Sequence, residues 1–143
     1  MRRVWTVWVL VGALTLATLS QAAHAQGLVP RNPAIENTIQ SQIEAFLLDD
    51  FNTAFTFASP GIQGFFGSAQ RFGQMVREGY PMVHRPAQVE YRELARINGA
   101  LWQKVVVTDA EGRTHSLAYQ MVEGADGWRI NGVTLIPEPS VGV

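Results

Sequence analysis

The sequence predicts an α+β domain in which N-terminal helices pack on one face of a curved four-stranded antiparallel sheet. Apolar residues recur at helical spacing from residue 32 to residue 79, and from residue 87 onward they alternate with polar residues. Short turn-forming segments separate the alternating stretches, as is typical of antiparallel neighbours. Helices followed by such a meander are expected to cover one sheet face and enclose a single core.

The first helix is predicted to begin at Asn32-Pro33, since asparagine is a favourable N-cap and proline suits the first helical position. Apolar residues then recur every three or four positions, which indicates one buried stripe. The stripe consists of Ile35, Ile39, Ile43, Phe46 and Leu47.

Shorter helices are predicted to follow. The segment 49–60, DDFNTAFTFASP, indicates a second helix that begins at its paired aspartates and ends at Ser59-Pro60. The same serine and proline start a short helix that runs to residue 66. Ser68 then caps a further helix, which ends at Gly79.

Four strands are predicted, at residues 87–97, 100–109, 114–123 and 127–136. Apolar residues occupy both alternating positions of the second of these strands, so we expect its middle to be covered on both faces. In the last strand the apolar residues move from one set of alternating positions to the other between Ile130 and Val133. This change predicts a bulge near Gly132.

The first 25 residues have the pattern of a secretory signal peptide. Arg2 and Arg3 precede a long apolar stretch, and the sequence Ala23-His24-Ala25 resembles a cleavage site. Cleavage after Ala25 would leave a single domain at residues 26–143, with its core at about residues 33–136. We therefore expect a periplasmic or secreted protein that has no membrane association after cleavage.

Composition excludes several classes of function. Cleavage would remove two of the 11 basic residues and leave 9 against 12 acidic ones, a formal charge of −3. Because phosphate binding needs a basic surface, we expect no nucleic-acid partner. The chain has no cysteine, which excludes disulfides, thiolate metal sites and cysteine nucleophiles.

Two segments carry a resemblance to known proteins, namely DDFNTAFTFASP after the first helix and GWRINGVTLIP at the end of the meander. With the order of elements, they resemble the nuclear-transport-factor-2-like superfamily, the cone fold of ketosteroid-isomerase-like proteins. The run from IQSQIEAFLL to REGYPMV is more similar to a family of short exported bacterial proteins that is a domain of unknown function. The resemblance covers about residues 33 to 136.

The resemblance implies a pocket between the helices and the sheet, and it implies that Asp50 is a structural residue at the start of the second helix. In the isomerases an early strand brings an acidic base into the pocket. Here the helical segment SPGIQGFFGSAQRFGQMV stands in its place. The resemblance therefore supports a pocket and weakens the case for isomerase chemistry.

Asp49 and Asp50 are the first candidates for a functional site. Adjacent residues on a helix point about 100° apart, so two such carboxylates are poorly placed to act together on one substrate. We interpret both as structural caps of the second helix, where a carboxylate accepts hydrogen bonds from free N–H groups.

Aromatic and sulfur-containing side chains are the candidates for lining a pocket. Tyrosine and tryptophan carry polar tips that need a partner when buried, and such tips orient a ligand in an apolar cavity. The alternative is ordinary packing in the core or at a dimer interface. The candidates are Phe55, Phe57, Tyr80, Tyr91, Trp102, Tyr119 and Met121.

Motifs for metal or covalent chemistry are absent from the sequence. His84 and His115 remain after cleavage and lack the His-x-x-x-His spacing, so no metal site is expected. No Gly-x-Ser-x-Gly elbow and no phosphate-binding glycine loop occur either, and no cofactor is expected.

These observations predict an exported, non-enzymatic binding module for a small apolar ligand or a protein partner. One alternative is a small isomerase- or hydrolase-type enzyme that uses the pocket. Its candidate residues would be Tyr119, Tyr91, His84 and Asp50. Another is an interaction module that forms a homodimer through the outer face of the sheet.

Overall fold

A computed structural model describes residues 26–137, which form five helices and five strands. The predicted signal peptide lies outside this range. The helices are α1 (Pro33–Leu47), α2 (Phe51–Thr56), α3 (Pro60–Phe66), α4 (Ala69–Gly79) and α5 (Pro81–His84). The strands are β1 (Gly27–Val29), β2 (Gln88–Ile97), β3 (Ala100–Thr108), β4 (Thr114–Gly124) and β5 (Gly127–Ile136).

The strands form one antiparallel sheet in the order β1-β2-β3-β4-β5. The four predicted strands correspond to β2 through β5, each within one residue at either end. The prediction of four strands was nevertheless wrong, because β1 adds a fifth at the edge next to β2. A strand of three residues is too short to show alternation, and β1 is defined by its pairing with Leu94, Ala95 and Arg96.

The predicted starts of α1 to α4 and the predicted ends of α3 and α4 are confirmed, whereas α2 ends at Thr56, before the predicted stop at Ser59-Pro60, and α5 was not predicted. The side chain of Asn32 accepts a hydrogen bond from the N–H of Ala34 at 3.0 Å and caps α1. Leu47 does not belong to the buried stripe, because it lies at the end of the helix and is 45 % exposed. The remaining predicted members of the stripe are buried against the sheet.

A bulge in β5 lies where the apolar residues change from one set of alternating positions to the other. Gln120 pairs with Gly132 and Met121 pairs with Ile130, so Asn131 is the extra residue. The prediction of a bulge near Gly132 is confirmed. Because one residue is inserted, Val133 and Ile130 both point to the face that carries the helices, rather than to opposite faces.

The two faces of β3 differ in burial. Leu101, Val105 and Val107 are buried on the inner face, which the helices cover. On the outer face Trp102 and Val106 are half-buried. Our expectation that both faces of this strand are covered was wrong for the part of the chain that the structure describes, because all five described helices pack on the inner side.

Among residues 26–137, no helix has the length and apolar character needed to span a membrane.

The packing of α2 on α4 depends on Gly73. A Cβ atom at this position would lie 2.6 Å from Cδ1 and 2.7 Å from Cγ of the Phe51 ring. That ring also packs on Phe46 with a centroid distance of 6.0 Å, and the Arg77 guanidinium lies 4.5 Å from its centroid. The absence of a side chain at Gly73 therefore lets the two helices meet around Phe51.

We expect Gly73→Ala to lower the free energy of unfolding by about 1–3 kcal/mol, the usual cost of overpacking. Alanine normally stabilises a helix relative to glycine by about 0.5–1 kcal/mol, so the clash reverses the usual sign. The matched control is Gly79→Ala in the same helix, where a Cβ meets nothing within 4 Å. Urea unfolding of both variants measures the difference, and equal stabilities would contradict the packing described.

Candidate functional site

A cavity of about 250 Å³ lies between the helices and the inner face of the sheet. The sheet contributes Tyr119, Ile130 and Val133 to its wall, and α4 contributes Phe72 and Val76. These side chains are apolar except for one hydroxyl. The space is partly open to solvent, so it is a pocket rather than a sealed void.

The helix α3 forms the outer wall of the cavity. Ser59 caps it through a hydrogen bond from the N–H of Ile62 at 3.3 Å, and Gly67 ends it in a left-handed conformation with φ 78°. None of its residues is fully buried. Phe65 borders the cavity although 80 % of its surface is exposed, which places this residue at the opening.

Backbone hydrogen bonds attach the segment before α3 to the sheet. The N–H of Ser59 donates to the carbonyl of Ile130, and the N–H of Ile130 donates to the carbonyl of Phe57, both at 2.8 Å. The Ser59 hydroxyl also donates to Oδ1 of Asn131, the bulged residue, at 2.7 Å. These bonds hold the outer wall in place over the inner sheet face.

Gln42, Tyr80 and Tyr119 bring polar groups to the cavity wall. The Gln42 amide donates to the carbonyl of Ala54 at 3.1 Å, and the Tyr80 hydroxyl donates to the carbonyl of Val133 at 3.1 Å. The hydroxyl of Tyr119 is buried and has no hydrogen-bond partner in the described structure. Removal from water raises the pKa of Tyr119 well above its usual range, so the hydroxyl stays protonated.

The seven pocket candidates from the sequence divide into two groups. Tyr80 and Tyr119 line the cavity. Phe55 packs on Phe72 in the core at a centroid distance of 5.3 Å, and Met121 is buried on the inner sheet face. Trp102 lies on the outer face of β3, opposite the helices.

The last two pocket candidates also lie away from the cavity wall. Phe57 ends α2, and its carbonyl accepts the hydrogen bond from Ile130. The Tyr91 hydroxyl donates to Oε1 of Gln40 on α1 at 2.8 Å. Burial, followed by the charges of Glu36 and Glu44, raises the pKa of Tyr91.

Sequence reasoning missed most of the helical side of the cavity. Gln42 lies on the buried stripe of α1, where a polar residue interrupts the apolar pattern, and this interruption was the available signal. Val83 lies on α5, a single turn that was not predicted. The other missed residues of the helical side carry no signal beyond being apolar, and they are Phe46, Ala58, Ile62, Phe65, Phe66, Phe72, Met75 and Val76.

The two adjacent aspartates have different roles. Asp50 is the N-cap of α2, and its carboxylate accepts bonds from the N–H and hydroxyl of Thr53 at 3.1 and 2.7 Å. The Thr53 hydroxyl, followed by its N–H, lowers the pKa of Asp50. Asp49 does not cap this helix, and that interpretation was wrong. With φ 55° it ends α1, and its N–H donates to the carbonyl of Phe46.

The carboxylate of Asp49 instead joins α1 to α5. Its Oδ1 lies 2.8 Å from Nε2 of His84, and the Arg85 guanidinium donates to both carboxylate oxygens at 2.9 Å. The His84 contact, followed by the Arg85 contact, lowers the pKa of Asp49. Arg85 also donates to the carbonyl of Phe46 at 2.7 Å, so the cluster closes the end of α1.

A second histidine cluster stabilises the turn between β3 and β4. Nε2 of His115 lies 2.8 Å from Oδ2 of Asp109, whose Oδ1 accepts the N–H groups of Glu111 and Arg113 at 3.0 and 2.9 Å. The two histidine clusters sit on different parts of the molecule and neither borders the cavity. Within residues 26–137, no three acidic or histidine side chains converge in a way that would hold a metal ion.

A family model described as a domain of unknown function (DUF4864) matches residues 29–143 of the chain. No curated protein shows a significant match to the sequence. No solved structure shows one either.

Acid should weaken the turn between β3 and β4 through Asp109. The His115 contact, followed by the backbone N–H groups of Arg113 and Glu111 and the charge of Arg113, lowers the pKa of Asp109 to about 2. Because the pKa of Asp109 is lower in the folded protein than in the unfolded chain, its carboxylate stabilises the fold. The full stabilisation is present at pH values above about 3.9, the ordinary pKa of aspartate. The contribution is lost as the pH falls toward about 2.

We therefore expect Asp109→Asn to be less stable than the unmodified protein at neutral pH, with a difference that shrinks between about pH 4 and pH 2. Urea unfolding across this range measures it. Asp126→Asn, an exposed position in the turn between β4 and β5, is the control. A stability difference that stays constant with pH would contradict the role given to the carboxylate.

Proposed function

We propose that this chain, which belongs to the DUF4864 family of domains of unknown function, binds a small apolar ligand in the cavity between its helices and sheet. The observation that carries the proposal is the cavity itself. Protein interiors are packed as densely as organic crystals, and an open space of this size is not needed to form a core.

The volume of the cavity limits the size of the ligand that it can hold. At about 250 Å³ it exceeds the cavity of about 150 Å³ that is known to hold benzene, and it lies just below the range of about 300–1,000 Å³ for drug-sized ligands. A single aromatic ring with a short substituent, or a short branched acyl chain, has the appropriate size. The partial opening beside Phe65 gives such a molecule a path from solvent.

The character of the wall supports an apolar ligand. Phenylalanine rings from three helices face the space, namely Phe46, Phe66 and Phe72, and Phe66 meets Phe72 edge-on at a centroid distance of 5.7 Å. No acidic or basic side chain is among the wall residues that the described range 26–137 contributes. Transfer of apolar surface from water into this space supplies the binding free energy, at about 25 cal/mol per Å².

The placement of the other candidate residues favours binding over catalysis. Of the four residues suggested for an isomerase- or hydrolase-type enzyme, Tyr119 borders the cavity. Asp50 is engaged with Thr53, His84 with Asp49, and Tyr91 with Gln40. General acid–base chemistry needs a side chain within hydrogen-bond reach of the substrate, and of these four residues Tyr119 alone lies at the cavity.

The cone architecture and the cellular location are parts of the same proposal. Helices on one face of a sheet with bulges in β2 and β5 support membership of the nuclear-transport-factor-2-like superfamily. The pattern of residues 1–25 supports export to the periplasm or beyond, with cleavage after Ala25.

A homodimer through the outer sheet face is a second candidate function. Trp102 and Val106 are half-buried on that face, and Ile97 at the end of β2 is 50 % exposed. Exposed apolar side chains on a sheet face are typical of interfaces, and here Lys104 separates Trp102 from Val106. Analytical ultracentrifugation of Trp102→Lys tests it, because a charge at the centre of such an interface should leave only monomer.

Filling the cavity should abolish binding without unfolding the protein. We expect isopropylbenzene to stabilise the unmodified protein, by about 2.7 kcal/mol at a hundredfold excess over its Kd. Val133→Phe places a larger side chain in the wall and should eliminate this stabilisation. Thermal unfolding with and without the compound measures both effects.

The matched control is Val106→Phe, the same substitution on the outer face of β3. This variant should respond to isopropylbenzene as the unmodified protein does. If the compound stabilises none of these proteins, or stabilises Val133→Phe equally, the cavity is not the binding site.

A further inference from the structure

One hydrogen-bond donor at the cavity wall is free. Among the described residues of the wall, the Tyr119 hydroxyl is buried and has no hydrogen-bond partner, whereas the Gln42 amide and the Tyr80 hydroxyl each donate to a backbone carbonyl. The Tyr119 side chain has no solvent exposure. Tyr119 is among the residues that line the cavity, so a molecule held there lies next to this side chain.

The position of Tyr119 in the sheet is tightly determined. It lies between Leu117 and Met121 on the inner face of β4, and both neighbours are buried. It pairs with Gln103 of β3 on one side and with Val133 of β5 on the other. The ring therefore has little freedom to carry its hydroxyl to the surface, and the unpaired group costs free energy in the unliganded protein.

We infer that the ligand is an uncharged molecule with one oxygen that accepts a hydrogen bond from the Tyr119 hydroxyl, while its apolar body fills the cavity. This inference rests on the proposed function and specifies the chemistry of the ligand. Ketones, esters and ethers with a compact apolar body belong to this class.

The charge of the ligand follows from the wall. Burying a carboxylate or an ammonium group is unfavourable unless an opposite charge accompanies it. The described residues of the wall supply hydroxyl, amide and apolar groups and no charged side chain. The tyrosine hydroxyl is protonated at neutral pH and has one hydrogen to donate, and an acceptor oxygen on the ligand pairs with that hydrogen.

The test uses three probes with the same number of non-hydrogen atoms. Acetophenone carries a carbonyl oxygen, isopropylbenzene has none, and benzoate is an anion at neutral pH. The Kd of each is measured by ligand-dependent thermal stabilisation of the unmodified protein and of Tyr119→Phe. Tyr91→Phe is the matched control, because the Tyr91 hydroxyl donates to Gln40 and does not border the cavity.

We expect Tyr119→Phe to weaken acetophenone binding about tenfold, the ratio that corresponds to one hydrogen bond of ordinary net strength. Binding of isopropylbenzene should not weaken, because it makes no hydrogen bond. Acetophenone and isopropylbenzene differ in their affinity for water. This difference cancels because the Kd of each probe is compared between the unmodified protein and Tyr119→Phe. Tyr91→Phe should leave the Kd of both probes unchanged, and benzoate should not bind at concentrations at which acetophenone saturates.

Stability of the unliganded variants gives a second readout. Removing an unpaired buried hydroxyl should leave the Tm of Tyr119→Phe equal to or above that of the unmodified protein. Removing the bonded hydroxyl in Tyr91→Phe should lower the Tm. A large loss of stability in Tyr119→Phe would mean that its hydroxyl already has a partner, and it would overturn the inference.

The outcomes separate this inference from the proposed function. If isopropylbenzene binds and Tyr119→Phe changes the Kd of both neutral probes by the same factor, the cavity binds ligands but Tyr119 does not select them. Saturable binding of benzoate would overturn the statement that the ligand is uncharged. If no probe binds, both the inference and the proposed function are wrong.

Discussion

The pairing of the segment between α2 and α3 with Ile130 of β5 is the constraint on which the cavity depends. β5 is an edge strand, and its outward N–H and C=O groups need partners. The carbonyl of Phe57 and the N–H of Ser59 supply them, each at 2.8 Å. Because the chain is held at the sheet edge, α3 begins beside β5 and extends over the inner face. A space is left beneath it that short side chains such as Ala58 do not fill.

The bulge at Asn131 makes this arrangement consistent with the alternation of β5. Without the extra residue, Ile130 and Val133 would point to opposite faces of the sheet. With it, both face the helices, and the Asn131 side chain accepts the Ser59 hydroxyl and donates to Gln120. The same insertion therefore supplies two apolar side chains to the cavity wall and anchors the N-cap of α3.

Much of the fold is readable from local sequence, because caps and alternation act over a few residues. Asn32 and Ser59 cap the helices that follow them, and strands β2 to β5 show their period directly. The strand β1 and the helix α5 are too short to show a period. The partners of Asp49 lie 35 and 36 residues away, at the last residue of α5 and the residue after it, so its role in joining helices is set by tertiary packing. The cavity wall collects side chains from residue 42 to residue 133, and no spacing rule brings them together.

Tyr119 connects the stability of this fold to its proposed role, because an unpaired hydroxyl in the core is unfavourable until a ligand accepts its hydrogen bond. A crystal structure of the protein with acetophenone tests this account most directly. It predicts electron density for the compound in the cavity, with the ketone oxygen about 2.7 Å from the Tyr119 hydroxyl. An empty cavity, or a bound molecule whose oxygen points away from Tyr119, would contradict it.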